Sequence, residues 1–236
     1  MRRLGYTLFI IAFSFLLMGT GCHKKAESPS KHEVKKKKEF SQKKQFSPGA
    51  EVRTVDIRND YVLGNPDAKV VVVEFTDFQC PFCRRFHHQT FPLLKENYID
   101  KGLVKWVVKN FPLRFHQFAF PAARGLVCAG ELGGRDAFWK YYFKIFNVEM
   151  LNPSSPAQVA EEIGLDREKF GRCLDSEEVK DKVAESMRYG SAIGIRGTPT
   201  FIIGKDNGDG TMTGEMVVGA QPYEVFKNKI DSLLAP

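Results

Sequence analysis

The chain has 236 residues, 43% of them apolar, enough for one domain with a genuine core. Its formal charge of +7 is unevenly placed: Arg2 and Arg3 open the chain, nine Lys against three Glu fall within 22–50, and residues 51–236 are left close to neutral. The basic balance belongs to a leader and a tail, which excludes nucleic-acid binding by the domain as a reading of the charge.

Residues 1–21 read as an export signal. Arg2 and Arg3 start it, and the apolar stretch from Thr7 to Met18 is shorter than the ~20 residues of a comfortable membrane span. Gly19-Thr20-Gly21 then places small residues before Cys22. This resembles a bacterial lipoprotein signal, although Gly19 stands where such signals usually carry Leu. The resemblance implies lipidation of Cys22, a membrane anchor, and a domain outside the cytoplasm, where disulfides persist. Residues 22–50 contain Lys35-Lys36-Lys37-Lys38 with few large apolar side chains, and read as a disordered tether. As a flexible chain it would span ~30 Å on a root-mean-square basis. Its lysines either rest on anionic headgroups or simply keep it solvated.

Residues 51–236 read as one domain. Glu51 to Ile57 predicts a short leading strand, and Asn65-Pro66-Asp67 a turn. The run Val70-Val71-Val72-Val73-Glu74-Phe75 predicts a buried strand. Cys80-Pro81-Phe82-Cys83 follows, and then Phe86, Phe91, Leu94 and Tyr98 at helical spacing predict a helix over Arg84 to Tyr98. The two thiols thus sit where a strand hands over to a helix N-terminus. Free backbone N–H groups and the helix dipole favour thiolate there, and Pro81 suits the first turn. The other reading of C-x-x-C is half of a zinc site. Zinc usually needs a second ligand pair, and Cys128 and Cys173 are isolated. His87 and His88 are adjacent, so on a helix they diverge by about 100°; they read as polar or rim positions.

Leu103 to Asn110 predicts a strand with Val104, Trp106 and Val108 on one face and Lys105 and Lys109 on the other. From His116 to about Ile193 the pattern is helical, with segments at Ala119 to Ala129 and Arg135 to Phe146, and with Ser155-Pro156 and Asp166 opening two more helices. Thr198-Pro199-Thr200-Phe201-Ile202-Ile203 returns to strand, Gly204 to Gly210 predicts a hairpin loop, Thr213 to Val218 its partner strand, and Tyr223 to Leu234 a last amphipathic helix. The fold class is α/β.

Two segments carry a more specific likeness. Phe75-Thr76-Asp77-Phe78-Gln79-Cys80-Pro81-Phe82-Cys83 and Gly197-Thr198-Pro199-Thr200-Phe201, in that order around a helical stretch, resemble the signatures of DsbA-like thiol:disulfide oxidoreductases. The likeness covers roughly 60–235 and implies a thioredoxin-like fold with a helical insertion at about 114–195, between the third strand and the cis-proline strand. It implies Cys80 as attacking thiol and Cys83 as the resolving one, acting through a mixed disulfide. It makes Pro199 the cis-proline beside them, with Thr198 offering backbone groups to an extended substrate. In such proteins a buried acid exchanges protons with the second cysteine, a role that falls on Glu74; the other reading of Glu74 is a rim carboxylate paired with a lysine. Asp77, in a loop-like stretch, ranks below it. Some members carry a second disulfide in the helical block, which implies a Cys128–Cys173 pair.

The expected activity is disulfide introduction into exported proteins bearing thiols, with a membrane redox partner resetting the site and no cofactor required. Isomerase or reductase action on the same fold is the alternative. A reading of another class is a non-catalytic surface lipoprotein, against which the intact pair of cysteines argues.

Overall fold

A computed structural model describes residues 49–235. The export signal, Cys22 and nearly all of the Lys-rich tether lie outside the described residues. The strands are β1 (Val52–Asp56), β2 (Val62–Leu63), β3 (Val70–Thr76), β4 (Val104–Asn110), β5 (Thr200–Asp206) and β6 (Thr211–Val218). They form one sheet in the order β1-β6-β5-β3-β4-β2. Among the described residues only β3 and β4 pair in parallel, and the helix after the thiols makes the crossover between them. Between β4 and β5 the chain inserts α3 (Ala119–Asn147), α4 (Ser155–Glu162), α5 (Arg167–Asp175) and α6 (Glu177–Ala192); α7 (Tyr223–Leu234) closes it.

β3 is buried on both faces, which explains its unbroken apolar run. Val70 and Val72 face a large core shared with Phe86, Trp106, Tyr142, Phe201 and Phe226. Val71, Val73 and Phe75 face a smaller one with Val55, Val107, Ile202 and Met212. On that second side α6 approaches through Gly190, where a Cβ would stand 2.8 Å from the Phe111 ring. The insertion's first helix is two arms meeting at Gly134, whose φ of 65° breaks the helical path.

Three local expectations need correction. The helix predicted over Arg84 to Tyr98 is interrupted: α1 (Pro81–Gln89) ends at Thr90, α2 (Phe91–Leu94) follows, and Lys95–Ile99 is a π-helical turn. Pro92 accounts for the break, because it has no N–H to give the preceding turn. The hairpin loop begins later than Gly204, since β5 runs to Asp206. Gly204 and Gly214 oppose each other across β5 and β6, and a Cβ on Gly204 would lie 1.9 Å from the Thr213 carbonyl oxygen. The third concerns His87, which is buried rather than at a rim. Its ring stacks on Phe146 at 4.3 Å and on Phe91 at 5.3 Å. His88 beside it is exposed.

Candidate active site

Cys80 occupies the N-cap of α1 and Cys83 its first turn. The two are free thiols; Cys80 keeps 3% of its surface exposed and Cys83 none. The Cys83 thiol, donating toward Cys80, does most to lower the Cys80 pKa, from 9.0 to about 6. Burial opposes the shift, while the amides of Cys83 and Phe82 at the open helix end and the Thr198 side chain add to it. Burial pushes Cys83 well above its ordinary value, with the charges of Cys80 and Glu74 raising it further. One thiol is therefore poised as thiolate and the other as its proton-bearing neighbour.

The peptide bond between Thr198 and Pro199 is cis, and Cys80 Sγ lies 3.3 Å from the Thr198 carbonyl oxygen. Gly219 N–H donates to the Pro199 oxygen at 2.8 Å, tying this turn to the end of β6.

Glu74 stands in the middle of β3, between Val108 of β4 and Phe201 of β5, and is fully buried. Its Oε2 accepts from Tyr142 Oη at 2.6 Å and Trp106 Nε1 at 3.2 Å. Burial raises its pKa, against the pull of the Tyr142 phenol, the neighbouring Thr76 hydroxyl and the Trp106 indole. Lysine does not supply its partners; an indole and a phenol do.

Asp77, ranked low from the sequence, is a buried hub. Its Oδ1 accepts from Gln79 N–H at 2.7 Å and Cys80 N–H at 3.1 Å. Its Oδ2 accepts from Leu113 N–H at 2.8 Å and faces His116 Nδ1 at 2.8 Å. An ionised carboxylate only accepts, so His116 donates here. Gln79 Oε1 accepts from Phe118 N–H at 2.6 Å. The loop bearing Cys80 is thereby laced to the connection between β4 and α3. The acid three residues before Cys80 was the available signal, but its partners lie 36 and 39 residues away.

Exposed apolar side chains stand on and beside the helix that carries the thiols. Phe82 is 53% exposed under the Arg85 guanidinium, and Met150 is 80% exposed. Arg84 donates to the Glu149 oxygen and Arg85 to the Ala220 oxygen, holding two loops against α1. Val218, next to the cis-proline turn, is exposed as well. Farther off, Cys128 in α3 and Cys173 in α5 are joined, with Cα atoms 5.8 Å apart. Among the described residues no group of three or more His, Cys, Asp or Glu stands close enough to hold a metal ion.

The thioredoxin family profile matches residues 56–220. The probable disulfide bond formation protein D of Bacillus anthracis is 33% identical over 151 residues, covering 60% of this chain and 68% of that protein. The crystal structure of oxidised BdbD from Bacillus subtilis superposes with a TM-score of 0.68 at 27% identity, over 78% of this chain and 98% of that one. The alpha-DsbA1 of Wolbachia pipientis shares the fold, with a TM-score of 0.64 at 24% identity over 75% and 91% of the two chains. The chain thus belongs to the thioredoxin family, as a DsbA-like protein disulfide oxidoreductase.

Proposed function

We propose that this protein works outside the cytoplasm, introducing disulfides into exported proteins through a Cys80/Cys83 cycle. A substrate thiolate attacks Cys80 of the oxidised pair, the Cys80–Cys83 bond breaks, and Cys83 leaves as a thiolate that takes a proton from Glu74. A second substrate thiolate then attacks the substrate sulfur of the mixed disulfide and expels Cys80 as thiolate. The substrate loses two electrons and the enzyme gains them. A membrane redox partner resets the dithiol, and lipidated Cys22 with the tether of 22–50 keeps the domain near it. Thr198 and Pro199 present the backbone beside Cys80 to an extended substrate, and the Cys128–Cys173 bridge braces the insertion at about 114–195.

The observation that carries this reading is the opposite displacement of the two thiols, Cys80 down to about 6 and Cys83 up. A stabilised leaving thiolate favours the reduced enzyme and makes the disulfide form an oxidant. The test is to mix oxidised enzyme with a reduced, unfolded protein of several thiols and count substrate disulfides formed. Stoichiometric transfer, lost in Cys80→Ser, supports the reading. A potential below about −250 mV, in the thioredoxin range, would make the enzyme a reductase instead.

A further inference from the structure

The clamp on Glu74 comes from outside the thiol motif. Tyr142 belongs to the second arm of α3, sixty-eight positions along the chain from Glu74, and Trp106 to β4. Both donate to the same oxygen, Oε2. The other oxygen, Oε1, is buried and has no donor in hydrogen-bonding geometry among the described residues. The groups facing this carboxyl are few. α1 brings Cys83, α3 brings Tyr142, β4 brings Trp106, β5 brings Phe201, and β3 itself brings the Thr76 hydroxyl. His87 packs against Tyr142, its ring 5.2 Å away. Burial holds His87 at a pKa of about 3, so it is neutral across the working range. Tyr142 feels both Glu74 and Cys83, which places the phenol, the carboxyl and the buried thiol in one electrostatic unit.

We propose that Tyr142, assisted by Trp106, is a positioning residue that pins Oε2 of Glu74 and leaves Oε1 as the oxygen that exchanges the Cys83 proton. This rests on the reading that Glu74 serves Cys83. The helical insertion thereby sets the proton affinity of a carboxyl in the central sheet. Hydrogen bonds donated to a carboxylate favour its charged form. Losing the phenol makes Glu74 hold its proton to higher pH, and a more acidic phenol does the reverse.

The step that reads this uses reduced full-length enzyme and glutathione disulfide as the probe. Cys80 thiolate attacks the probe, its S–S bond breaks, and one glutathione thiolate leaves. Cys83 gives its proton to Glu74, attacks the Cys80 sulfur, closes the Cys80–Cys83 disulfide and expels the second glutathione thiolate. The enzyme loses two electrons and the probe gains two. Quenched-flow kinetics follow decay of the mixed disulfide against pH in wild type, Tyr142→Phe, the protein with 3-fluorotyrosine at position 142, and Glu74→Gln. In Tyr142→Phe the acid limb should move up by about one pH unit, some five- to sixfold slower at the wild-type midpoint. With 3-fluorotyrosine it should move down. A purely structural tyrosine would slow the step at every pH without moving the limb. A limb unmoved in both variants, or moved the same way by both, overturns the proposal. Should Tyr142→Phe fail to fold, the fluorotyrosine protein decides alone. If Glu74→Gln removes the limb while the Tyr142 variants leave it in place, the reading of Glu74 stands and only the clamp falls. If Glu74→Gln leaves the limb unchanged, that reading fails and the clamp with it.

Discussion

Cys80 carries a thiolate where its ordinary pKa of 9.0 would leave a thiol at neutral pH, and stability must register that. The folded reduced enzyme releases the Cys80 proton near pH 6, whereas the unfolded chain holds it to about 8.5. Between those values the unfolded state binds more protons, so the reduced form gains stability as pH rises through the window and loses it as pH falls. The oxidised form has no such titration. Thermal melts of both forms from pH 5 to 9 should show the reduced form gaining on the oxidised one; parallel curves would refute the shift. His87 has the same sign in a lower window, its pKa depressed from 6.5 to about 3 by burial. It costs stability only as pH falls below about 6.5, where the unfolded chain begins to take the proton. His87→Phe should flatten the acid side of the stability curve, and should be tolerated because Nε2 has no partner to lose among the described residues. Asp77→Ala removes an acceptor from four donors, of which Cys80 N–H keeps the Asp77 backbone oxygen, and should cost about 2–4 kcal/mol in denaturant unfolding. A loss under about 0.5 kcal/mol would show that the lacing carries nothing.

At the scale of elements, the insertion is held to itself by the Cys128–Cys173 bridge, which closes a separation of 45 residues. Chain entropy assigns such a closure about 4 kcal/mol. Replacing both cysteines with alanine should lower stability by that order while leaving Cys80 chemistry in place, as equilibrium unfolding and thiolate titration of the double variant would show. The strand–thiol–helix handover was legible because both periodicities are local: four consecutive valines, then Phe86 spaced from Phe91 and Leu94. The break at Pro92 was equally local and overlooked. His87 was another matter. Adjacent histidines look polar in sequence, and only the Phe146 ring, some sixty residues downstream, makes one of them a core residue. Asp77 hid for the same reason, since its partners lie in a connection without periodicity. The carboxyl of Glu74 stood out within an apolar strand, while the phenol and indole that hold it did not.

For the whole molecule, the sheet divides the work between its faces. One face carries α1, the Glu74 clamp and the aromatic core around Phe86; the other carries α6 and the smaller core. Phe86 ties these parts together, lying 4.5 Å from Phe201, 5.2 Å from Phe226 and 6.0 Å from Trp106. Its truncation to alanine should cost about 3–5 kcal/mol by leaving a cavity directly beneath the thiol helix. One asymmetry governs the chemistry, a thiolate at Cys80 shielded by a protonated Cys83. Absorbance at 240 nm of the reduced protein against pH measures it directly. One thiolate is expected with a midpoint of about 6, absent in Cys80→Ser and displaced upward in Cys83→Ala, where the chief donor to it is gone. A reduced protein with no thiolate below about pH 8, or a low-pH signal that survives Cys80→Ser, would contradict it.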